Sequence, residues 1–328
     1  MEYSQWIRYF RLTVAVDGTN NVALDLSDFR VRFSISQQLA SRPTTAEITV
    51  YNVAQSTVDA IKTPTNQLVK NSRPRVILEA GYQEDHAIIF QGDLWWKSTG
   101  RESETDTYMK LIAAAGDRAH QYAVVNLSLP KGATQEQVFG AVAASMQEKG
   151  VGAPANKPTL MSTKLPRGKV LYSMSADAMQ GIADTNAFEW CYGANGLIAI
   201  PKERVYDPSE EVVVLDATTG LIGRPTLTVD GVQLQCLLNP RLDVGSLIQI
   251  DNGTIQNQTW STETTAGAVK ANYAAADAMI AADGIYRVFS REFVGDTRGN
   301  EWYANLMAYG VNAQKPLTPS ISSTMPNM

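Results

Sequence analysis

The sequence predicts a mainly β fold with an α+β insertion, and three observations predict it. Apolar residues recur at every second position in runs between Phe10 and Ala115. Between Thr134 and Asp184 they recur at three- and four-residue spacing instead. From Glu211 onward the two-residue period returns. These changes divide the chain into 1–130, 131–210 and 211–312. The remainder, 313–328, is rich in Pro, Ser and Thr and is expected to be a flexible or docking tail.

In the first region Phe10–Val16 alternates and stops at the turn pair Asp17-Gly18. Phe29, Val31, Phe33 and Ile35 share one face of the next strand, with Arg30, Arg32 and Ser34 on the other. That is the pattern of a half-buried antiparallel strand. Ala46–Val53 repeats it through Ile48 and Val50, and a short helix is expected over Ala54–Lys62. Arg75–Ala80 and Ala87–Phe90 flank Gly81–Asp85, a hairpin connection, and Tyr108–Ala115 supplies a closing strand. Strands with turns at such short spacing predict a small barrel or sandwich.

The middle region opens on Thr134-Gln135-Glu136-Gln137, a capping box. The Thr134 oxygen bonds the amide three residues on, and Gln137 reaches back. Val138, Val142 and Met146 follow at helical spacing, and Gly150 stops the helix. Ser175 is expected to cap a second helix reaching Asp184. Phe188, Trp190 and Tyr192 then alternate, Asn195-Gly196 supplies the turn, and Leu197–Ile200 returns. In the last region Glu211–Leu215, Val232–Leu238 and Leu247–Ile250 read as strands. Gly284–Val294 and Glu301–Tyr309 are longer ones joined by Gly295–Asn300. The alanine-rich stretch Ala266–Ala282 is compatible with a helix.

Composition narrows function. A length of 328 residues suffices for real cores without disulfide or metal staples. The net charge of −5 argues against a nucleic-acid binder that works by bulk charge. Two cysteines, Cys191 and Cys236, and two histidines, His86 and His120, exclude a disulfide framework and a Cys/His zinc cluster. They also leave little material for His-based acid–base or nucleophilic catalysis. No apolar segment follows the polar start Met1–Trp6, and no run approaches the ~20 residues that span a bilayer. The expectation is a chain made in a cytoplasm, with no membrane segment.

Each candidate site has a plain structural reading beside it. Asp296 and Arg298 sit between two glycines, either as an ion pair or ligand clamp or as ordinary hairpin-loop chemistry, and the last is favoured. Glu210-Glu211 and Glu102/Glu104/Asp106 are acidic groups that flank strands, which favours solvated surface over an acid–base pair. His86 beside Glu84 and Asp85 lacks a further ligand. Gly220–Pro225 lacks the third glycine of a dinucleotide loop and the Lys-Ser/Thr of a phosphate loop. No catalytic residue, metal ligand or cofactor is therefore assigned. Trp95-Trp96 is different. Adjacent residues of a strand face opposite sides, so one tryptophan can be core and the other exposed or at an interface.

Residues 211–310 carry a resemblance. Gly220-Leu221-Ile222-Gly223-Arg224-Pro225 leads to Leu237-Leu238-Asn239-Pro240-Arg241-Leu242, and later to Gly295-Asp296-Thr297-Arg298-Gly299. This series resembles the baseplate hub proteins of contractile-tailed bacteriophages, which are related to late control proteins and to type VI secretion spike hubs. The resemblance implies two tail-tube-type antiparallel β-barrel domains, at 1–130 and 211–312, around a small α+β domain. It implies a structural, non-enzymatic protein. Three copies would form a ring with pseudo-sixfold symmetry, joining a hexameric tail tube to a trimeric spike and surrounding the DNA channel. The implied partners are a second and third copy, the tail tube or a tube initiator, the spike and other baseplate proteins, with DNA only in passage. The implied location is the virion tail, assembled in the host cytoplasm.

The interface is expected to draw on the loops Asp17–Asn21, Gly81–Asp85 and Gly295–Asn300, and on Trp95, Trp96, Asp296, Arg298 and Trp302. Two other classes stay open: a peptidoglycan-degrading tail-associated hydrolase, and a monomeric carbohydrate-binding β-module.

Overall fold

The computed structural model describes residues 7–17, 21–62, 73–155, 158–228, 230–257, 281 and 283–313. The expected helix over Ala266–Ala282 and the tail at 313–328 lie almost wholly outside these residues.

The first region holds β1 (Arg8–Ala15), β2 (Ala23–Asp25), β3 (Val31–Gln38), β4 (Thr44–Tyr51), α1 (Gln55–Ala60), β5 (Arg75–Tyr82), β6 (Asp85–Arg101) and β7 (Thr107–Ala115). The alternation read from sequence is the observed burial. Val31, Phe33, Ile35 and Gln37 point inward from β3, and Thr44, Ala46, Ile48 and Val50 do so from β4. β5 and β6 form the expected hairpin, with Tyr82 opposite Asp85.

The middle core draws on α2 (Asp117–Tyr122) and β8 (Val124–Leu129), which precede residue 131, and on α3 (Gln135–Gln147), β9 (Lys169–Met174), α4 (Ser175–Thr185), β10 (Phe188–Tyr192) and β11 (Leu197–Pro201). Both bonds of the Thr134–Gln137 capping box are present at the start of α3. Ser175 is not a cap. Met174 holds that position, and the Ser175 hydroxyl is buried 2.7 Å from the Ser145 hydroxyl, tying α4 to α3. Helices α3 and α4 pack their apolar faces against β8, β9 and the β10–β11 hairpin around Val138, Met146, Met179 and Trp190.

β12 (Val205–Tyr206) precedes residue 211, and beyond it come β13 (Val212–Val214), β14 (Leu221–Leu227), β15 (Val232–Leu237), β16 (Leu247–Gln249), β17 (Gln256–Asn257), β18 (Ile285–Asp296), β19 (Trp302–Gly310) and β20 (Asn312–Ala313). The pairing is mostly antiparallel, with parallel contacts at β13–β16, β14–β17 and β12–β20.

The sequence suggested separate β units, yet β1–β7 and β13–β19 share one sheet, along the path β17-β14-β15-β19-β18-β3-β4-β7-β6-β5-β1-β2, with β16 pairing β18 and β13 off that path, while β12 and β20 pair apart from it. No closed barrel is formed among the described residues. The regions join where β18 pairs antiparallel with β3, from Ser290 opposite Gln38 to Asp296 opposite Arg32. Each strand offers the other an edge whose unpaired N–H and C=O groups would otherwise need water or a partner. One core runs across the seam. Phe33 meets Trp302 edge-on at 5.6 Å between centroids, and Ile35 and Phe293 are fully buried in the same cluster.

Candidate interface residues

No group of three or more His, Cys, Asp or Glu among the described residues is placed to hold a metal ion. Both cysteines are buried, and burial pushes each thiol up to about 12, so neither is a thiolate nucleophile near neutral pH. His86 stacks on Tyr9 at 3.8 Å, with its Nε2 3.6 Å from Glu79 Oε1. Among the acids singled out in sequence, Glu210 lies 3.0 Å from Arg287 and Glu211 lies 3.7 Å from Arg241. These carboxylates face arginines rather than one another.

The Gly295–Asn300 loop clasps the two strand-rich regions together. Asp296 shows the loop chemistry read from sequence, and its ion pair is with Arg30 rather than Arg298. Its Oδ1 accepts from the backbone N–H groups of Arg298 and Gly299, each at 2.9 Å, which is loop chemistry. Its Oδ2 pairs with Arg30 Nη2 at 2.7 Å, and Arg32 stands 3.8 Å away. Burial works to raise the Asp296 pKa, but the Arg30 hydrogen bond and the two amides outweigh it and hold the carboxyl below its ordinary value. Arg8 adds hydrogen bonds to the carbonyls of Asp296, Gly299 and Asn300, and its guanidinium lies over the Trp302 ring. Thr297 N–H donates to Val31 C=O, and Val31 N–H donates to the Thr297 hydroxyl.

Three of the expected interface residues differ in exposure within the chain. Asp296 and Trp302 are 3% and 2% exposed, and the Trp302 ring packs edge-on against Phe33 with Arg8 over its face. Arg298 remains at the surface, donating to Asp28 C=O at 3.0 Å.

A second junction, unread from sequence, joins all three regions. Arg291 is buried on β18. It donates to Leu242 C=O at 3.0 Å and to Gln37 Oε1, and lies 3.4 Å from Asp243. Gln37 in turn donates to the Cys191 sulfur at 3.9 Å. Desolvation lowers the Arg291 pKa. Nothing local in the sequence marks this cluster, because its members come from four separate segments. The middle region is held further by Arg73 on Asp117 at 2.7 Å and by the Thr44 hydroxyl donating to Tyr192 C=O at 2.6 Å.

Trp95 and Trp96 do not divide between core and surface. Both face solvent, at 44% and 57% exposure. The reason is a β-bulge. Leu94 opposes Ala113 and Trp96 opposes Ile112, so Trp95 is the extra residue and the alternation slips by one. Lys97 anchors the strand beyond the bulge by donating to the carbonyls of Val58 and Ile61. The hairpin-tip residue Asp85 is engaged by Arg241 Nε at 3.1 and 3.2 Å. The Asp17–Asn21 loop falls partly outside the described residues.

Sequence reasoning also missed the β8–β9 ribbon, whose outer face exposes Val124, Val170 and Tyr172. Its cue was the alternation in Val125-Asn126-Leu127-Ser128-Leu129, which the distant β9, pairing Leu129 with Lys169 and Val124 with Met174, completes.

A family model described as Baseplate hub gp41 matches residues 9–257, most of the chain. No curated protein matches. Among solved structures, the 43 kDa tail protein of prophage MuSo2 from Shewanella oneidensis superposes with a TM-score of 0.54 at 7% identity. That match covers 94% of this chain and 100% of the other. The tail protein of Neisseria meningitidis MC58 gives 0.50 at 9% identity, covering 92% and 96%. The E. coli c3393 protein is a type VI secretion component described as similar to the T4 bacteriophage tail proteins gp27 and gp5. It gives 0.51 at 9% identity, covering 88% and 76%. At such identities these likenesses establish the fold alone.

Proposed function

The chain belongs to the baseplate hub gp41 family, and on that premise we propose that it is the structural hub of a contractile phage tail or related injection system. In this reading three copies form a ring of pseudo-sixfold symmetry. The ring joins the hexameric tail tube to the trimeric spike and surrounds the channel through which DNA passes. Its partners are the tube or tube initiator, the spike and other baseplate proteins, and it is assembled in the host cytoplasm.

The observation that carries this reading is the β3–β18 seam. It fixes two strand-rich regions side by side as one body, so three chains would present six such units around an axis. We assign residues 1–130 and 211–312 to two tube-type domains whose barrels are completed by neighbouring copies. Open sheet edges of this kind need covering, and a cyclic ring covers them. Trp95, Trp96 and Arg298 are the candidates for contacts beyond the chain.

The role is non-enzymatic, and the arginine-paired carboxylates and high thiol pKa values support that. Light scattering of the purified chain tests the ring: a species of three times the chain mass is expected. A monomer at every concentration would favour the carbohydrate-binding module instead, with the exposed tryptophans as its platform. Clearing of a peptidoglycan zymogram would favour the hydrolase.

A further inference from the structure

Two β arms present apolar side chains to solvent behind charged tips, and the tips are of opposite sign. The first is the outer half of the β6–β7 hairpin. It carries Trp95 and Trp96, and the turn beyond them holds Glu102, Glu104 and Asp106. Arg101 offsets one of these acids, and Asp106 is held by Asn52 Nδ2 at 3.0 Å. Glu102 and Glu104 are exposed and make no ion pair among the described residues.

The second arm is the β8–β9 ribbon. Val125 and Leu171 face inward onto the middle core. The opposite face carries Val124, then Asn126 opposite Tyr172, then Ser128 opposite Val170. Val124, Val170 and Tyr172 are 51%, 71% and 77% exposed, values that leave most of each side chain in water. Beyond them lie Lys131, Lys164, Arg167 and Lys169, all exposed and none in an ion pair among the described residues. Gly132 N–H donates to Leu165 C=O, and Leu165 N–H donates to Ala133 C=O. These bonds stitch the two loops together and gather the four cations at one tip, in a chain whose net charge is −5.

We propose that the two arms meet between copies: the β8–β9 ribbon of one copy receives the outer β6–β7 hairpin of the next. The proposal rests on the ring reading and names its contact. Tryptophans would cover Val170 and Tyr172, and Glu102 and Glu104 would face the lysine–arginine tip. An apolar centre with a charged rim is the usual anatomy of a protein interface, and Trp and Tyr are its usual anchors. The arms are different surfaces of one chain, so the contact is head-to-tail, the type that closes rings. A nucleic acid would account for the basic tip alone and leave the acidic tryptophan arm unexplained.

The test uses the full chain, with assembly followed by light scattering across concentration and far-UV circular dichroism as the check on folding. Lys164→Glu with Arg167→Glu, and separately Glu102→Lys with Glu104→Lys, are each expected to weaken assembly roughly tenfold or more, because each sets like charges together. All four reversals in one chain are expected to restore it to within about threefold. Mixing a Trp96→Cys chain with a Tyr172→Cys chain is expected to give a disulfide-linked pair that neither variant gives alone. A wild-type trimer indifferent to both reversals, or a fourfold variant that fails to recover, overturns the arm contact and leaves the ring. A wild-type chain that is monomeric throughout removes the ring reading itself. Retention of a DNA duplex that is lost in the Lys164/Arg167 variant, with assembly unchanged, reassigns the basic arm to nucleic acid and overturns the proposal.

Discussion

Arg30 and Asp296 stand 266 residues apart in the chain and 2.7 Å apart in space. The pair closes one end of the seam between the strand-rich regions, with the carboxylate nearly buried and the guanidinium half exposed. Asp296→Asn keeps the shape and removes the charge. It is expected to lower stability by about 2 kcal/mol, below the range for breaking a fully buried pair because Arg30 remains solvated. Urea unfolding at neutral pH checks this.

The same carboxyl sets an acid dependence. Its pKa is depressed in the folded chain, so the unfolded chain takes up the proton first as pH falls. The stabilisation is fully present above the ordinary carboxylate value, at about pH 4, and is lost as pH drops through the lower folded value. Wild type is therefore expected to lose more stability than Asp296→Asn between neutral pH and about pH 3. Parallel denaturant curves for the two proteins read the difference.

Arg291→Ala is expected to be more damaging. It leaves Leu242 C=O and Gln37 facing a buried space, strips Asp243 of its cation, and removes the side chain at which all three regions meet. A loss of about 3–5 kcal/mol is expected, seen as a lower Tm in calorimetry.

Gly116 precedes α2 at φ +79°, and a Cβ there would lie 2.3 Å from the Tyr192 ring. Gly116→Ala is expected to cost about 3 kcal/mol through backbone strain and overpacking together. Limited proteolysis is the sharper measurement, because the damage sits where the middle region docks on the first sheet.

Trp95→Ser and Trp96→Ser are expected to change stability by about 1 kcal/mol or less, since both residues lie at the surface, 44% and 57% exposed. A large fall in Tm for either would place that ring in a packed environment and remove it from the interface candidates. The cysteines behave oppositely. With both thiols pushed up to about 12 by burial, a disulfide-exchange reagent at mildly alkaline pH is expected to label neither until denaturant is added.

Much of the fold was legible because it is local. The β3 alternation from Val31 to Ile35, the Thr134 capping box and the Asn195-Gly196 hairpin each specify themselves within a few residues. The missed features need partners far away. β8 finds β9 only across the intervening α3, Arg291 finds Gln37 across the β3–β18 seam, and Asp296 finds Arg30 across its other end. The error at Trp95 has a different origin. Strand alternation is a rule of regular pairing, and one inserted residue between Leu94 and Trp96 suspends it.

The seam also imposes an order on synthesis. Ser34 and its partner Glu292 are separated by 258 residues. At ribosomal rates of roughly 5–20 residues per second, β3 waits roughly ten to fifty seconds after leaving the ribosome for β18 to emerge. Throughout that interval the nascent chain carries an unsatisfied strand edge, flanked on β3 by the outward Arg32 and the inward Val31, Phe33 and Ile35. A slow translation stretch between β15 and β18 would lengthen the exposure, and the edge closes only when the chain's own late strand arrives.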